Sequence, residues 1–133
     1  MKPAVFLALA LAAAAADLSL IQPGELAARL PSKAPVMFHV GPAVLYRSHH
    51  IPGSIYVGMG ASPSGIAALK DAAANLPRDR EIVIYCGCCP WDHCPNIRPT
   101  FAVLKEMGFT KVKAMFSETS FKSDWIDHGY PVE

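Results

Sequence analysis

The stretch that most constrains the fold runs from residue 82 to residue 100, IVIYCGCCPWDHCPNIRPT. It begins with four apolar residues, Ile82 to Tyr85, which follow charged residues and precede a cysteine and a glycine. This pattern is typical of a strand that is buried on both faces of a parallel sheet. A helical pattern begins near Pro99. The stretch therefore predicts a strand, a cysteine-rich loop and a helix N-terminus, in that order.

The rest of the chain alternates between helical and strand patterns. Strands are predicted at residues 36–40, 55–57, 82–85 and 112–116, and helices at 23–30, after an N-cap at Ser62, from about 99 to Gly108, and after an N-cap at Ser120. Connections of this length between strands must be crossovers, so the predicted fold is α/β with a mainly parallel sheet. Ligands bind at the carboxyl ends of the strands in such sheets, which is where Cys86 lies.

The first residues have the composition of an export signal. Lys2 supplies a positive charge, residues 4–15 are an apolar run, and Ala14 to Ala16 form a small-residue cleavage site. The run is too short to span a bilayer comfortably. We expect residues 1–16 to be a signal peptide, residues 17–133 to form one domain, and the mature protein to be periplasmic or secreted.

The charge balance excludes two classes of partner. Loss of Lys2 with the signal peptide reduces the number of basic residues from 12 to 11, which equals the number of acidic residues. A nearly neutral domain gives no electrostatic reason to bind nucleic acid or, after signal cleavage, an anionic membrane. We expect a monomer that needs no cofactor.

The four cysteines all lie between Cys86 and Cys94. Disulfides that hold a small exported fold together join distant segments, whereas these cysteines can only join parts of one loop. The clustering therefore indicates chemistry or metal binding. Cys86 is the candidate nucleophile, because loop N–H groups and a helix N-terminus favour a thiolate at the end of the strand.

Four motifs follow one another in a specific order. They are His50-Ile-Pro-Gly-Ser54, Ile82-Val-Ile-Tyr-Cys86, the segment from Leu104 to Phe109 with its Gly-Phe end, and the Trp-x3-Gly-Tyr-Pro-Val segment from Trp125 to Val132. Together they resemble rhodanese-like domains over residues 18–133. The resemblance implies a five-stranded, mostly parallel sheet flanked by helices, and sulfurtransferase activity.

In that family a cysteine takes a sulfane sulfur from a donor such as thiosulfate or a persulfide and passes it to a thiophilic acceptor. The resemblance assigns this role to Cys86, with a small sulfur compound or a protein thiol as partner. Two alternatives stay open, namely a thiol redox or soft-metal-binding module on the same fold, and a catalytically silent interaction domain.

Three departures from the family pattern concern the site. His39-Val40-Gly41 stands where the family commonly has Asp-Val-Arg, and Ser117-Glu118 replaces the usual Gly-Gly. The distance along the chain from Cys86 to Gly108 is about one helical turn longer than in the family's short loop. We therefore expect an enlarged active-site loop.

The other three cysteines allow three interpretations. Cys88, Cys89 or Cys94 could resolve a persulfide on Cys86, or a disulfide such as Cys89 to Cys94 could stiffen the loop. Third, the four thiolates with His93 could bind Cu(I) or Zn(II). The spacing C-x-C-C-x4-C differs from the paired C-x2-C of ordinary zinc sites, so we expect no metal.

The remaining loop residues are candidates for substrate binding. They are Gly87, Trp91, His93, Asn96 and Arg98, together with Cys88 and Cys89. Arg98 is the one fixed cation of the loop sequence, so an organic persulfide suits the loop as well as the thiosulfate dianion does. We expect Trp91 to cover the loop.

The position of Asp92 argues against one related class of enzyme. Cysteine-dependent phosphatases use C-x5-R, but Asp92 occupies the arginine position and would repel phosphate. The sequence therefore favours sulfur chemistry over phosphate chemistry.

Two histidines outside the loop are expected to have structural roles. His39 is expected to be a hydrogen-bonded core residue, and by resemblance His50 is structural.

Overall fold

The computed structural model describes residues 18–133, in which five short strands alternate with helices. The strands are β1 (Leu20–Ile21), β2 (Val36–His39), β3 (Ile55–Tyr56), β4 (Ile82–Tyr85) and β5 (Val112–Met115). The helices are α1 (Pro23–Arg29), α2 (Ala43–Ser48), α3 (Pro63–Ala73), α4 (Ile97–Glu106) and α5 (Phe121–Asp124), followed by a 3-10 turn (Ile126–His128). No helix within these residues is both long and apolar enough to cross a membrane. The predicted signal peptide lies outside the described residues.

The sheet has the strand order β1-β5-β4-β2-β3, and all four pairs of neighbours are parallel. This confirms the predicted α/β class and the five-stranded parallel sheet. Strand β4 is central because all four of its residues are apolar and buried. Ile82 and Ile84 pack in the core on the α3 and α4 face, whereas Val83 and Tyr85 pack on the face that carries Trp125. The continuous apolar run thus reflects burial on both faces.

Helix α2 was not predicted, since the sequence indicates a turn-rich stretch from Arg47 onward. None of its residues is buried, so it has no apolar stripe that a sequence pattern could reveal. The chain before it, at Pro42, is extended and leads directly out of β2. The helix places the His50 motif beside the carboxyl end of the sheet.

The other helix boundaries agree closely with the sequence. Ser62 and Ser120 cap α3 and α5 by accepting hydrogen bonds from the N–H groups of Gly65 and Ser123. Helix α4 begins at Ile97, two residues earlier than the pattern near Pro99 indicated. The first turn tolerates a proline because its N–H groups have no partner within the helix.

Candidate active site

Cys86 is the first residue after β4, at the carboxyl end of the sheet, and only 4% of it is exposed. The end of β2 passes directly beside it, with the Val40 N–H bonded to the Tyr85 carbonyl at 2.8 Å. A Cβ atom on Gly41 would lie 2.0 Å from the Cys86 carbonyl oxygen and 2.9 Å from its Sγ. Only glycine permits this close approach of the end of β2 to Cys86.

The loop returns to Cys86 through two reversals. Gly87 adopts a positive φ of 83°, which turns the chain sharply after the strand. A turn in which the His93 N–H bonds to the Pro90 carbonyl then brings Cys94 back towards Cys86. The Trp91 N–H donates to the Ser117 carbonyl at 3.0 Å, so the loop is anchored to the segment after β5.

These reversals gather all four cysteines as free thiols. Their sulfur atoms lie within 4.8 Å of one another, with Cys86 and Cys88 at 3.1 Å and Cys88 and Cys89 at 2.8 Å. Cys86 and Cys94 are buried, Cys89 is half-buried and Cys88 is exposed. The loop is therefore a four-sulfur cluster that is open to solvent on the Cys88 side.

Asn96 is a buried residue that hydrogen-bonds to the sulfur cluster. It is 3% exposed, and its Oδ1 accepts a hydrogen bond from the Ala61 N–H at 2.9 Å. Its Nδ2 donates a hydrogen bond to the Cys86 Sγ at 3.4 Å. Its backbone carbonyl accepts a hydrogen bond from the Thr100 hydroxyl at 2.7 Å. The sequence indicates Asn96 only as a candidate for substrate binding, since nothing in it shows that the segment between β3 and α3 meets the loop there.

Hydrogen bonds among the thiols shift the pKa values of Cys86 and Cys94 in opposite directions. The hydrogen bond that the Cys86 thiol makes to Cys94, together with burial, raises the pKa of Cys86. That hydrogen bond lowers the pKa of Cys94 to about 6, against the effect of burial and with help from the Asn96 N–H. The hydrogen bond from the buried Cys86 thiol therefore favours negative charge on Cys94 over Cys86. The assignment of Cys86 as nucleophile stays a prediction.

His39 is buried beside the first residues of the cysteine loop. It is 1% exposed, and its Nδ1 accepts a hydrogen bond from the Gly41 N–H at 3.2 Å. Burial, with a contribution from His50, lowers the pKa of His39 to about 4. The ring is therefore neutral at pH 7, which agrees with a hydrogen-bonded core histidine. Its Nε2 faces Gly87, since a Cβ there would lie 3.3 Å from it.

Tyr85 connects β4 to the His50 motif. Its hydroxyl accepts a hydrogen bond from the Ile51 N–H at 3.0 Å and lies 2.7 Å from the Ser54 Oγ. Burial is the main reason why the pKa of Tyr85 rises to about 12. His50 is held by the Tyr46 carbonyl at 2.8 Å and stacks on the Tyr46 ring, as expected for a structural residue.

A narrow apolar crevice of about 10 Å³ borders Cys86. It is lined by Tyr85, Cys86, Gly87, Cys89, Trp91, Ile97, Met115, Ser117 and Phe121, none of them charged. This volume accommodates about one atom the size of a water molecule. A larger groove of about 320 Å³ lies on the other side of Gly87, between α2 and α5.

The predicted loop residues fall into two groups. Gly87, Cys89 and Trp91 line the crevice with Cys86. His93 is exposed and 3.8 Å from the Asp92 carboxylate, outside the sulfur cluster. Arg98 is exposed too, with its guanidinium 5.7 Å from the centre of the Trp91 ring.

Asp124 holds the segment that anchors the loop. Its carboxylate accepts hydrogen bonds from the Ser117 hydroxyl and the Thr119 N–H, both at 2.9 Å, and from the Ser120 N–H at 3.1 Å. Partial burial acts to raise the pKa of Asp124, but these hydrogen bonds outweigh it and hold the pKa below its usual range. Asp124 was not identified from the sequence, and Ser117 was identified there only as a departure from the family pattern.

Replacing Asp124 with asparagine is expected to lower the free energy of unfolding at pH 7 by about 1 kcal/mol, because an amide is a weaker acceptor and the site is partly exposed. A carboxylate whose pKa is depressed on folding stabilises above its unfolded pKa of about 3.9, and this contribution disappears as the pH falls through the folded pKa. The difference between wild type and Asp124→Asn should therefore vanish in acid. Urea denaturation across this pH range measures it.

The matched control is Asp127→Asn, which removes an exposed carboxylate paired with Lys122 at 2.8 Å. It should change stability by less than about 0.5 kcal/mol at any pH. An Asp124→Asn loss that is equal at neutral and acid pH would contradict the role of the charge.

Comparison with known proteins agrees with this architecture. The rhodanese-like domain of the Alr3790 protein from Anabaena sp. has a TM-score of 0.61 at 21% identity, covering 86% of this chain and 77% of its own. The BH2092 protein from Bacillus halodurans has 0.65 at 20% identity, covering 86% and 76%. Thiosulfate sulfurtransferase from Pseudomonas aeruginosa has 0.64 at 21% identity, covering 87% of this chain but only 20% of its own. No curated protein sequence matches the chain.

Identities this low show a common fold and do not transfer an activity. The family model describes the chain more directly, since the rhodanese-like domain matches residues 22–116, from α1 to the end of β5. Its match includes the His50 motif, β4, Cys86 and the whole cysteine loop. The chain therefore belongs to the rhodanese-like domain family.

Proposed function

We propose that the protein is a sulfurtransferase that carries a sulfane sulfur as a persulfide on Cys86. The observation that supports this most directly is the position of Cys86, at the carboxyl end of the central strand and beside a one-atom crevice. In a member of the rhodanese-like family, this is where a transferred sulfur would be held.

Loading the sulfur is a displacement at a sulfur atom. The Cys86 sulfur attacks the outer sulfur of the donor, the donor S–S bond breaks, and the leaving group departs with the bonding electron pair. Sulfite leaves if the donor is thiosulfate, and a thiolate leaves if the donor is an organic persulfide. The Cys86 proton passes along its hydrogen bond to Cys94, and the Asn96 amide donates to the sulfur that reacts.

The crevice favours an organic persulfide over thiosulfate. Its lining contains apolar and uncharged polar side chains, and the Arg98 guanidinium lies at the Trp91 ring instead of in the crevice. A dianion would lose its hydration there without gaining a cation, which costs free energy. The outer sulfur of a persulfide can enter while the rest of the donor stays at the exposed Cys88 side.

Cys88 is placed to act on the loaded sulfur. Its Sγ lies 3.1 Å from the Cys86 Sγ. Attack of the Cys88 thiol on the Cys86 sulfur forms a Cys86–Cys88 disulfide and releases the outer sulfur as hydrogen sulfide, and a dithiol reductant then restores both thiols. An external thiol can instead attack the outer sulfur and leave Cys86 free.

Mass spectrometry of the fully reduced, chelator-treated protein tests the proposal. After incubation with thiosulfate or with a low-molecular-weight persulfide, we expect the peptide that contains Cys86 to gain the mass of one sulfur atom. Cyanide should remove this mass and form thiocyanate. The persulfide donor should load faster than thiosulfate.

Two variants serve as controls. Cys86→Ser should gain no sulfur, whereas Cys88→Ser should gain it and retain it longer, because the neighbouring attack is removed. Absence of a mass gain with every donor in reduced wild-type protein, or an equal gain in Cys86→Ser, would contradict the proposed function.

A further inference from the structure

We propose that Cys86, Cys88, Cys89 and Cys94 together bind one thiophilic metal ion, with Zn(II) or Cu(I) as the candidates. This inference does not depend on sulfur transfer. It revises the expectation of no metal, which came from the spacing of the cysteines along the chain. The spacing is unusual, but the fold places the four sulfur atoms within 4.8 Å of one another.

The sulfur positions fit a single small ion. With a Zn–S distance of about 2.3 Å, tetrahedral geometry places sulfur atoms about 3.8 Å apart. The sulfur pairs here range from 2.8 Å to at most 4.8 Å. Both of the short sulfur pairs include Cys88, whose side chain is exposed and therefore has room to change its torsion.

The loop also supplies hydrogen-bond donors to the sulfur ligands and a solvent-exposed side, both of which a metal site needs. Asn96 donates to the Cys86 Sγ through Nδ2 and to the Cys94 sulfur through its backbone N–H. Such bonds orient thiolate ligands and offset their negative charge. The buried Cys86 and Cys94 form the inner side of the site, and the exposed Cys88 marks the path by which an ion enters.

The ligand atoms select the class of metal. All four are sulfur, and the nearby His93 and Asp92 are exposed and adjacent to each other outside the cluster. Thiolate ligands prefer Zn(II) and Cu(I), whereas Mg(II) and Ca(II) require oxygen ligands. Binding of one Zn(II) releases the protons of the coordinating thiols and leaves a complex with a net charge of −2, and no oxidation or reduction occurs.

Titration of the reduced full chain with Co(II) under nitrogen tests the site, since Co(II) reports tetrahedral thiolate ligands through its absorption. We expect thiolate-to-cobalt charge-transfer bands and intense visible bands that saturate at one Co(II) per chain. One equivalent of Zn(II) should abolish them. A parallel titration with Cu(I), followed by competition between the two ions, identifies the preferred metal.

Variants separate this site from adventitious binding. Cys88→Ser removes an exposed ligand without disturbing the core, so it should weaken binding at least tenfold while the protein stays folded. His93→Ala should bind Co(II) as the wild type does. Weak octahedral spectra that persist in Cys88→Ser, saturation at more than one ion per chain, or no bands at all would overturn the proposal.

A further readout connects the site with the proposed function while keeping the two distinguishable. Metal coordination occupies the Cys86 sulfur, so zinc-loaded protein should gain no sulfane sulfur until a chelator is added. If the cobalt spectra appear but the apo-protein never gains sulfur, the metal site stands and the sulfurtransferase proposal fails. The opposite pair of results overturns the metal site alone.

Discussion

Replacing Gly41 with alanine is expected to lower the free energy of unfolding by about 3 kcal/mol or more, at the upper end of overpacking effects. The new Cβ would lie 2.0 Å from the Cys86 carbonyl oxygen and 2.9 Å from its carbonyl carbon. These are backbone atoms, so no side-chain rotation can relieve the contact. The end of β2 must move away from β4, and Cys86 must move with it.

Urea denaturation of the reduced protein measures the loss. Gly24→Ala is the matched control, because its Cβ would meet only the end of the Tyr130 side chain, at 3.0 Å from the hydroxyl oxygen. That side chain can rotate, so the control should change stability by less than about 1 kcal/mol. A Gly41→Ala protein as stable as the control would contradict the packing described at Cys86.

Replacing Asn96 with alanine is expected to cost about 2 kcal/mol of stability and to slow persulfide formation on Cys86. The buried Asn96 side chain satisfies the Ala61 N–H and donates to the Cys86 Sγ. Loss of a buried partner leaves a polar group unsatisfied, at a cost of about 1–3 kcal/mol. Without the Nδ2 donor, the negative charge that develops on the reacting sulfur is less stabilised.

Asn96→Asp separates these two effects. A carboxylate keeps the acceptor for the Ala61 N–H, so more of the stability should survive than in Asn96→Ala. The same carboxylate repels a charged sulfur. Persulfide formation, measured by mass spectrometry, should therefore be slower in Asn96→Asp than in the wild type or in Asn96→Ala. Asn75→Ala, at an exposed position after α3, is the control and should leave both measurements unchanged. Equal loading rates in all four proteins would contradict the role of Asn96.

The fold could be predicted from the sequence because its main signals are local. The apolar run of β4, the serine caps of α3 and α5, and the proline and glycine residues at helix ends each act within a few residues. Helix α2 could not be predicted, since it buries none of its residues and therefore leaves no periodic pattern.

The site was predicted less completely, because its geometry depends on contacts between distant segments. The position of Cys86 directly after β4 could be predicted from the apolar run. The convergence of the four sulfurs depends on the positive φ of Gly87 and on the anchoring of Trp91 to Ser117. The sequence spacing reports neither of these. Asn96 and Gly41 acquire their roles from β3, α3 and β4, which are far away in sequence.

The difference in depth among the four cysteines has a consequence for their chemistry. Cys88 lies at the surface and Cys86 beneath it, with the two sulfurs 3.1 Å apart. An oxidant or alkylating agent that arrives from solvent meets Cys88 first, whichever thiol is intrinsically more reactive. Reagents from solvent are therefore expected to modify Cys88 before Cys86, in the order set by the exposure of the two thiols.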